Sequence, residues 1–247
     1  MLYGIEDTKK AIDAEIEQYY DLKSVQKLVL YKQETDFIDL VGQLRFQKRW
    51  AQTPRIPETS VLGHMLIVAI LSYFFSLELQ VCEKRLRNNF YAGLFHDLPE
   101  VLTRDIISPV KRSVEGLDIL IKNIEEKYML EKIYKLIPAN WHDDIKYYTE
   151  NEFKNKIINQ AGKVEYLSAE KLSQYNEDNY NPLDGEMLKF CDNLSALLEV
   201  LVSRQHGVTS RKLEDAIDTI SNQYINRKIA HVNLQELIEK FSIELKN

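Results

Sequence analysis

Residues 61–79 are apolar nearly all round their projected helical surface, and a helix of that kind is stable only where neighbours wrap it. It predicts the centre of a helical bundle. The rest of the chain supplies the wrapping: Leu, Ile, Lys and Glu recur at helical spacing, alternating β-branched runs are rare, and only 8 Gly and 6 Pro interrupt 247 residues. With 45% hydrophobic and 28% charged residues the chain can bury one continuous core. The class expected is all-α, in a single domain. Helices are predicted over 5–20, 36–50, 61–79, 84–97, from Ser108-Pro109 to about 128, over about 152–175, and over 184–205, 210–224 and 233–245. Residues 53–60, 138–141 and 176–182 read as loops or breaks.

Charge and cysteine usage exclude several classes. A net charge of −6 argues against a nucleic-acid polymer as partner, because that contact needs a basic face. The apolar run 65–75 is too short to span a bilayer, and the N-terminus lacks the basic-then-apolar layout of a secretion signal, so no membrane is expected and the protein reads as cytoplasmic. Cys82 and Cys191 share no paired spacing and fall in helical, apolar segments, which predicts two buried thiols.

The chemistry concentrates in the run Phe95-His-Asp-Leu-Pro-Glu-Val-Leu-Thr-Arg-Asp, where His96 and Asp97 are adjacent and Glu100, Thr103 and Asp105 follow. Imidazole nitrogen and carboxylate oxygen suit a borderline divalent ion, and catalytic sites keep one coordination position for water. Other segments offer partners. His64 lies in the first turn of the most apolar helix, and Asp192, Ser195, Ala196 and Glu199 fall at i, i+3, i+4 and i+7 on one stripe of the helix 184–205. A carboxylate facing a core is costly unless it is paired, hydrogen-bonded or bound to metal. Taken singly, His64 reads more readily as a hydrogen-bonded core residue and Asp192 as a solvated one.

The order His64, His96-Asp97, Asp192 resembles the metal-dependent phosphohydrolases of the HD-domain superfamily. Leu40-Val-Gly-Gln-Leu44, Arg49-Trp50, Ser60-Val61 and Ser108-Pro-Val-Lys111 sharpen the likeness toward the bacterial 5'-deoxynucleotidase branch. The resemblance covers about residues 36–205. It implies an HD-type helical bundle over 36–205 and carries nothing onto the ends, where the chain's own helical pattern predicts an N-terminal helical extension at 1–35 and C-terminal helices at 206–247 packed on the same domain. It further implies that His64, His96, Asp97 and Asp192 hold one divalent ion, drawn from Mn, Co, Fe, Ni, Zn and Mg, with Glu100 and Asp105 as the catalytic acids. Arg49 and Trp50 match substrate-contacting positions, and a guanidinium fork suits a phosphate while an indole suits a nucleoside. Lys111 stays a solvated lysine in this reading and Thr103 a turn cap. The substrate implied is a nucleoside 5'-monophosphate, deoxyribonucleoside first, and a homodimer is among the assemblies implied.

Two positions depart from that pattern: Gly63 stands where the family usually has an acid before the first histidine, and Pro99 where it often has a small polar residue. Neither removes a ligand. Only His142 lies between the pair and Asp192, which disfavours the two-metal relatives, and His206 and His231 come after. Two alternatives stay open at this point: a nucleoside triphosphate or guanosine tetraphosphate hydrolase, and a non-catalytic helical module that holds metal or nucleotide.

Overall fold

The computed structural model describes residues 32–103 and 116–224, and isolated positions from 228 to 236. Its elements in chain order are α1 (Lys32–Gly42), α2 (Val61–Glu78), α3 (Glu83–Phe95), α4 (Glu100–Thr103), α5 (Leu117–Tyr128) and α6 (His142–Thr149). A hairpin of β1 (Lys156–Ile158) and β2 (Val164–Tyr166) follows, then α7 (Ala169–Leu172), α8 (Gly185–Gln205), α9 (Arg211–Gln223) and the two-residue strands β3 (Lys228–Ile229) and β4 (Val232–Asn233). The fold is all-α with two small antiparallel hairpins.

α2 is the organising element. Ser60 starts it by accepting a hydrogen bond from the Gly63 N–H through its side chain. Its buried residues Val61, His64, Met65, Val68, Ala69, Ser72, Phe75 and Ser76 form one helical stripe. The opposite side, with Leu66, Ile67, Ile70, Phe74 and Leu77, is exposed. Among the described residues, then, neighbours cover one face of this helix instead of wrapping every side. The whole helix, 18 residues, is long and apolar enough to cross a membrane by length and composition, but 44% of it is buried inside the fold, as in the core helix of a bundle.

α3 packs antiparallel on α2 at very close range. A Cβ added to Gly93 would lie 2.7 Å from the Ala69 Cα, so only glycine permits this crossing. Two apolar clusters meet along α2: Val61 and Met65 join Leu44, Leu98 and Ile133, whereas Val68 and Phe75 join Phe190, Leu194 and Leu197 from α8. His64 stands at their boundary.

Several predicted elements differ from those observed. The helix expected over 36–50 stops at Gly42, passes through a single 3₁₀ turn, and gives way to a loop that pairs Lys48 with Ser60 and donates the Arg49 N–H to the Thr59 carbonyl at 2.9 Å. The helix expected over 152–175 is instead the β1–β2 hairpin followed by α7. Asn159 accepts from the Ala161 and Lys163 amides through its side chain, and Gly162 takes φ +72°, so the chain turns where helical periodicity would carry it on. Of the helix expected from Ser108-Pro109 to about 128, the part before Gly116 lies outside the described residues, and Gly116 at φ +80° precedes the helix Leu117–Tyr128. The loop 176–182 is tied down: Asn176 and Asp178 accept the Cys82 and Lys84 amides at 2.9 and 2.8 Å. Cys82 precedes α3 and is partly exposed, while Cys191 is buried in α8, and both thiols are free. The helix expected at 5–20 lies outside the described residues, as does that at 233–245 apart from Glu236 and from Asn233, which belongs to β4.

Candidate metal centre

Three helices bring His64, His96, Asp97 and Asp192 together. His64 comes from the first turn of α2 and His96 caps the C-terminus of α3, with their rings 5.4 Å apart in an edge arrangement. The His96 Nδ1 lies 2.9 Å from the Gly93 carbonyl, which can only accept, so Nδ1 carries the proton and Nε2 presents its lone pair. That lone pair faces a carboxylate oxygen, Asp97 Oδ2, at 3.2 Å. His64 Nδ1 contacts Ser195 Oγ at 3.1 Å, while its Nε2 lies 3.0 Å from Asp192 Oδ1 and 3.7 Å from Asp97 Oδ2. The ligand atoms of His64, His96 and Asp192 all fall within 4.8 Å of one another.

Neither Nε2 makes a hydrogen bond of good geometry, although both atoms are buried. A buried polar atom without a well-made partner is costly in a protein interior. The Ser195 hydroxyl can donate to His64 Nδ1 or accept from it, so either His64 nitrogen can carry the proton. At His96, whose tautomer the Gly93 carbonyl fixes, acceptor faces acceptor and a cation is needed between them. In its absence a proton serves: burial pushes His96 down, but the adjacent Asp97 carboxylate outweighs it and holds the imidazole up at about 9. Burial holds His64 down instead, helped by the Arg49 charge against the pull of Asp192. Burial would raise Asp97 and Asp192, but the imidazoles beside them, with Lys189 at Asp192, keep both carboxylates ionised. Two carboxylates and two imidazoles match the charge and donor preferences of one divalent ion. The residues fit it.

Around the cluster, Arg49 Nη1 lies 3.6 Å from Asp97 Oδ2. Trp50, in the left-handed region at φ +57°, donates its indole N–H to Glu199 Oε2 at 2.7 Å. Glu100 is 7% exposed and opens α4, with its amide donating to the Asp97 carbonyl at 3.0 Å. Asp105 and Lys111 lie outside the described residues. The Thr103 hydroxyl donates to Glu125 Oε1 at 3.1 Å, fastening α4 to α5. His142 opens α6 with Nε2 3.2 Å from the Ile137 carbonyl, and His206 sits exposed at the end of α8.

Sequence reasoning missed Lys189, whose Nζ lies 2.7 Å from Asp192 Oδ2 and 4.2 Å from the centre of the Phe153 ring, itself 6.1 Å from His96. The signal was there, since Lys189 precedes Asp192 by one helical turn. Arg55, nearly buried in the loop after Trp50, carried no signal.

The HD domain matches residues 41–221 of the chain. The chain belongs to the HD-domain family of phosphohydrolases. Among curated proteins this HD domain is similar to the 5'-deoxynucleotidase of Vibrio atlanticus, 25% identical over 154 residues, which cover 59% of this chain and 79% of that protein. Among solved structures it resembles an HD-domain phosphohydrolase from Listeria innocua with a TM-score of 0.63 at 19% identity, covering 84% of this chain and 88% of that one. It also resembles the cyanophage S-2L HD phosphohydrolase DatZ, solved bound to dA and one catalytic Zn²⁺ ion, with a TM-score of 0.51 at 17% identity, covering 84% of this chain and 95% of that one. These structures share its fold.

Proposed function

We propose that this HD domain is a nucleotide phosphohydrolase that releases phosphate from nucleoside 5'-monophosphates, deoxyribonucleosides first. The observation that carries the reading is the buried convergence of two imidazole Nε2 atoms, both without a hydrogen bond, on the carboxylates of Asp97 and Asp192. The likeness to a 5'-deoxynucleotidase and to a dA-bound phosphohydrolase supports the substrate class. His64, His96, Asp97 and Asp192 would hold one divalent ion, which when bound supplies an acidified water and screens the phosphate charge. Glu100 accepts the proton from the attacking water, and Asp105 protonates the departing 5'-oxygen or shares that base role. Arg49 grips the phosphate and Trp50 flanks the nucleoside.

A second reading, hydrolysis of triphosphates or of guanosine tetraphosphate, gains from Lys189, which adds a cation beside Asp192 on a different element from Arg49. The test is phosphate release from nucleoside mono-, di- and triphosphates with Mn²⁺, Co²⁺, Mg²⁺ or Zn²⁺. Orthophosphate from monophosphates alone is expected. Inorganic triphosphate or pyrophosphate would favour the second reading, and no release from any compound would leave a binding module.

A further inference from the structure

Glu199 stands on α8 seven residues after Asp192, on the same stripe, with its side chain 8% exposed. It gathers groups from two segments, the loop after α1 and the first turn of α2. The Trp50 indole N–H donates to Oε2 at 2.7 Å, Arg49 Nε and Arg55 Nη2 each lie 3.7 Å from that oxygen, and His64 Nδ1 lies 3.8 Å from Oε1. Arg55 Nη1 reaches back to the Glu199 carbonyl at 3.5 Å, and the Ile56 amide donates to Ser203 Oγ at 3.2 Å, so the whole 49–56 arm is anchored along one face of α8. One carboxylate thus faces the buried guanidinium of Arg55 and the partly buried one of Arg49, which Asp97 also faces, and the Arg55 side of this arrangement is expensive to strand. The arm needs such an anchor. A tryptophan at φ +57° is strained backbone, and persists only where its surroundings impose it.

We infer that Glu199 is a positioning residue that fixes the Arg49–Trp50 arm against the helix carrying Asp192, and so sets the distance between the substrate-gripping groups and the metal cluster. The inference rests on the proposed roles of Arg49 and Trp50. It predicts that loss of Glu199 weakens substrate binding far more than it slows turnover, and leaves the metal in place.

The chain has two tryptophans, so a Trp141→Phe background leaves Trp50 as the only tryptophan, read by selective excitation of the indole over the 14 tyrosines. In that background Glu199→Ala is expected to open Trp50 to acrylamide quenching and to raise the KM for a deoxynucleoside 5'-monophosphate about tenfold, with kcat and bound Mn²⁺ per chain nearly unchanged. Glu199→Gln, whose amide oxygen still accepts the indole N–H, is expected to restore the quenching of the parent. Should Glu199→Ala fail to fold, the pair Arg55→Met with Glu199→Met carries the same measurements without stranding the Arg55 charge. Unchanged quenching and KM would overturn the inference, as would joint loss of Mn²⁺ and kcat, which would make Glu199 part of the metal site. If the parent releases no phosphate from any nucleotide, the reaction assigned above fails, while quenching and Mn²⁺ content still decide the role of Glu199.

Discussion

α3 and α8 meet at two buried clusters of charge, and the two are built to opposite rules. Toward the start of α8, Arg85 grips Asp184 with two hydrogen bonds of 2.7 and 2.6 Å, and Asn89 donates to the same carboxylate at 3.1 Å while accepting the Asp184 amide at 2.9 Å. Every side-chain nitrogen and oxygen of Arg85, Asn89 and Asp184 has a partner. At the other cluster, His96 and Asp192 from the same helices, joined by His64, leave two imidazole nitrogens without one. A protein closes a buried polar group when only stability is at stake, and leaves it open where something else must enter. The first cluster is a rivet and the second a socket.

Substitutions can break that contrast. The largest effect is expected from Asp97→Ala, which should abolish metal binding and phosphate release together while leaving the thermal transition of the metal-free protein in place; retention of a stoichiometric ion would remove Asp97 from the ligand set. Glu100→Ala should keep the ion and lose about 10² to 10⁴ in kcat, read by steady-state phosphate release beside metal analysis. Arg85→Ala inverts the pattern: a buried Asp184 left unpaired should cost about 3–5 kcal/mol in denaturant unfolding, with the metal content of the folded fraction unchanged.

The smallest effect sharpens the comparison away from both clusters. Lys156 is enclosed, with its ammonium donating to the Glu150 carbonyl at 2.7 Å and lying over the Tyr147 ring, and burial brings its pKa down to about 8 against the pull of Glu152 and Glu150. An unfolded lysine holds its proton to about 10.4, so between those values the unfolded chain binds more protons and folding stability rises with pH. Lys156→Met should therefore be more stable than the parent at pH 7, and this advantage should shrink as pH rises from about 8 to 10. Tm measured for both proteins across that range checks it, and a constant difference would show that Lys156 does not titrate there.

Much of this arrangement was legible in the sequence, for reasons visible in particular residues. The apolar wall of α2, the adjacent His96-Asp97 and the polar stripe at Asp192, Ser195 and Glu199 are each periodic signals, and periodicity survives folding. What escaped is what periodicity does not encode. The β1–β2 strands are three residues each, too short to display alternation, and their turn depends on the Asn159 side chain and a positive φ at Gly162. Arg49 and Trp50 were assigned to a helix end, yet they ride a loop whose shape is dictated by Thr59 and Glu199, contacts distant in sequence. The stripe on α8 announced Glu199 without saying what it would hold.

The contact of Gly93 with Ala69 carries one more consequence. Because backbone meets backbone there, the gap between the helices bearing His64 and His96 is governed by hard atomic radii rather than by adjustable side chains. Such a joint works like the fixed jaws of a calliper: it neither narrows nor drifts on warming until the helices part altogether. Loss of catalytic competence on heating should accordingly coincide with the cooperative melting of the bundle, with no cooler range in which an intact protein has merely loosened its grip.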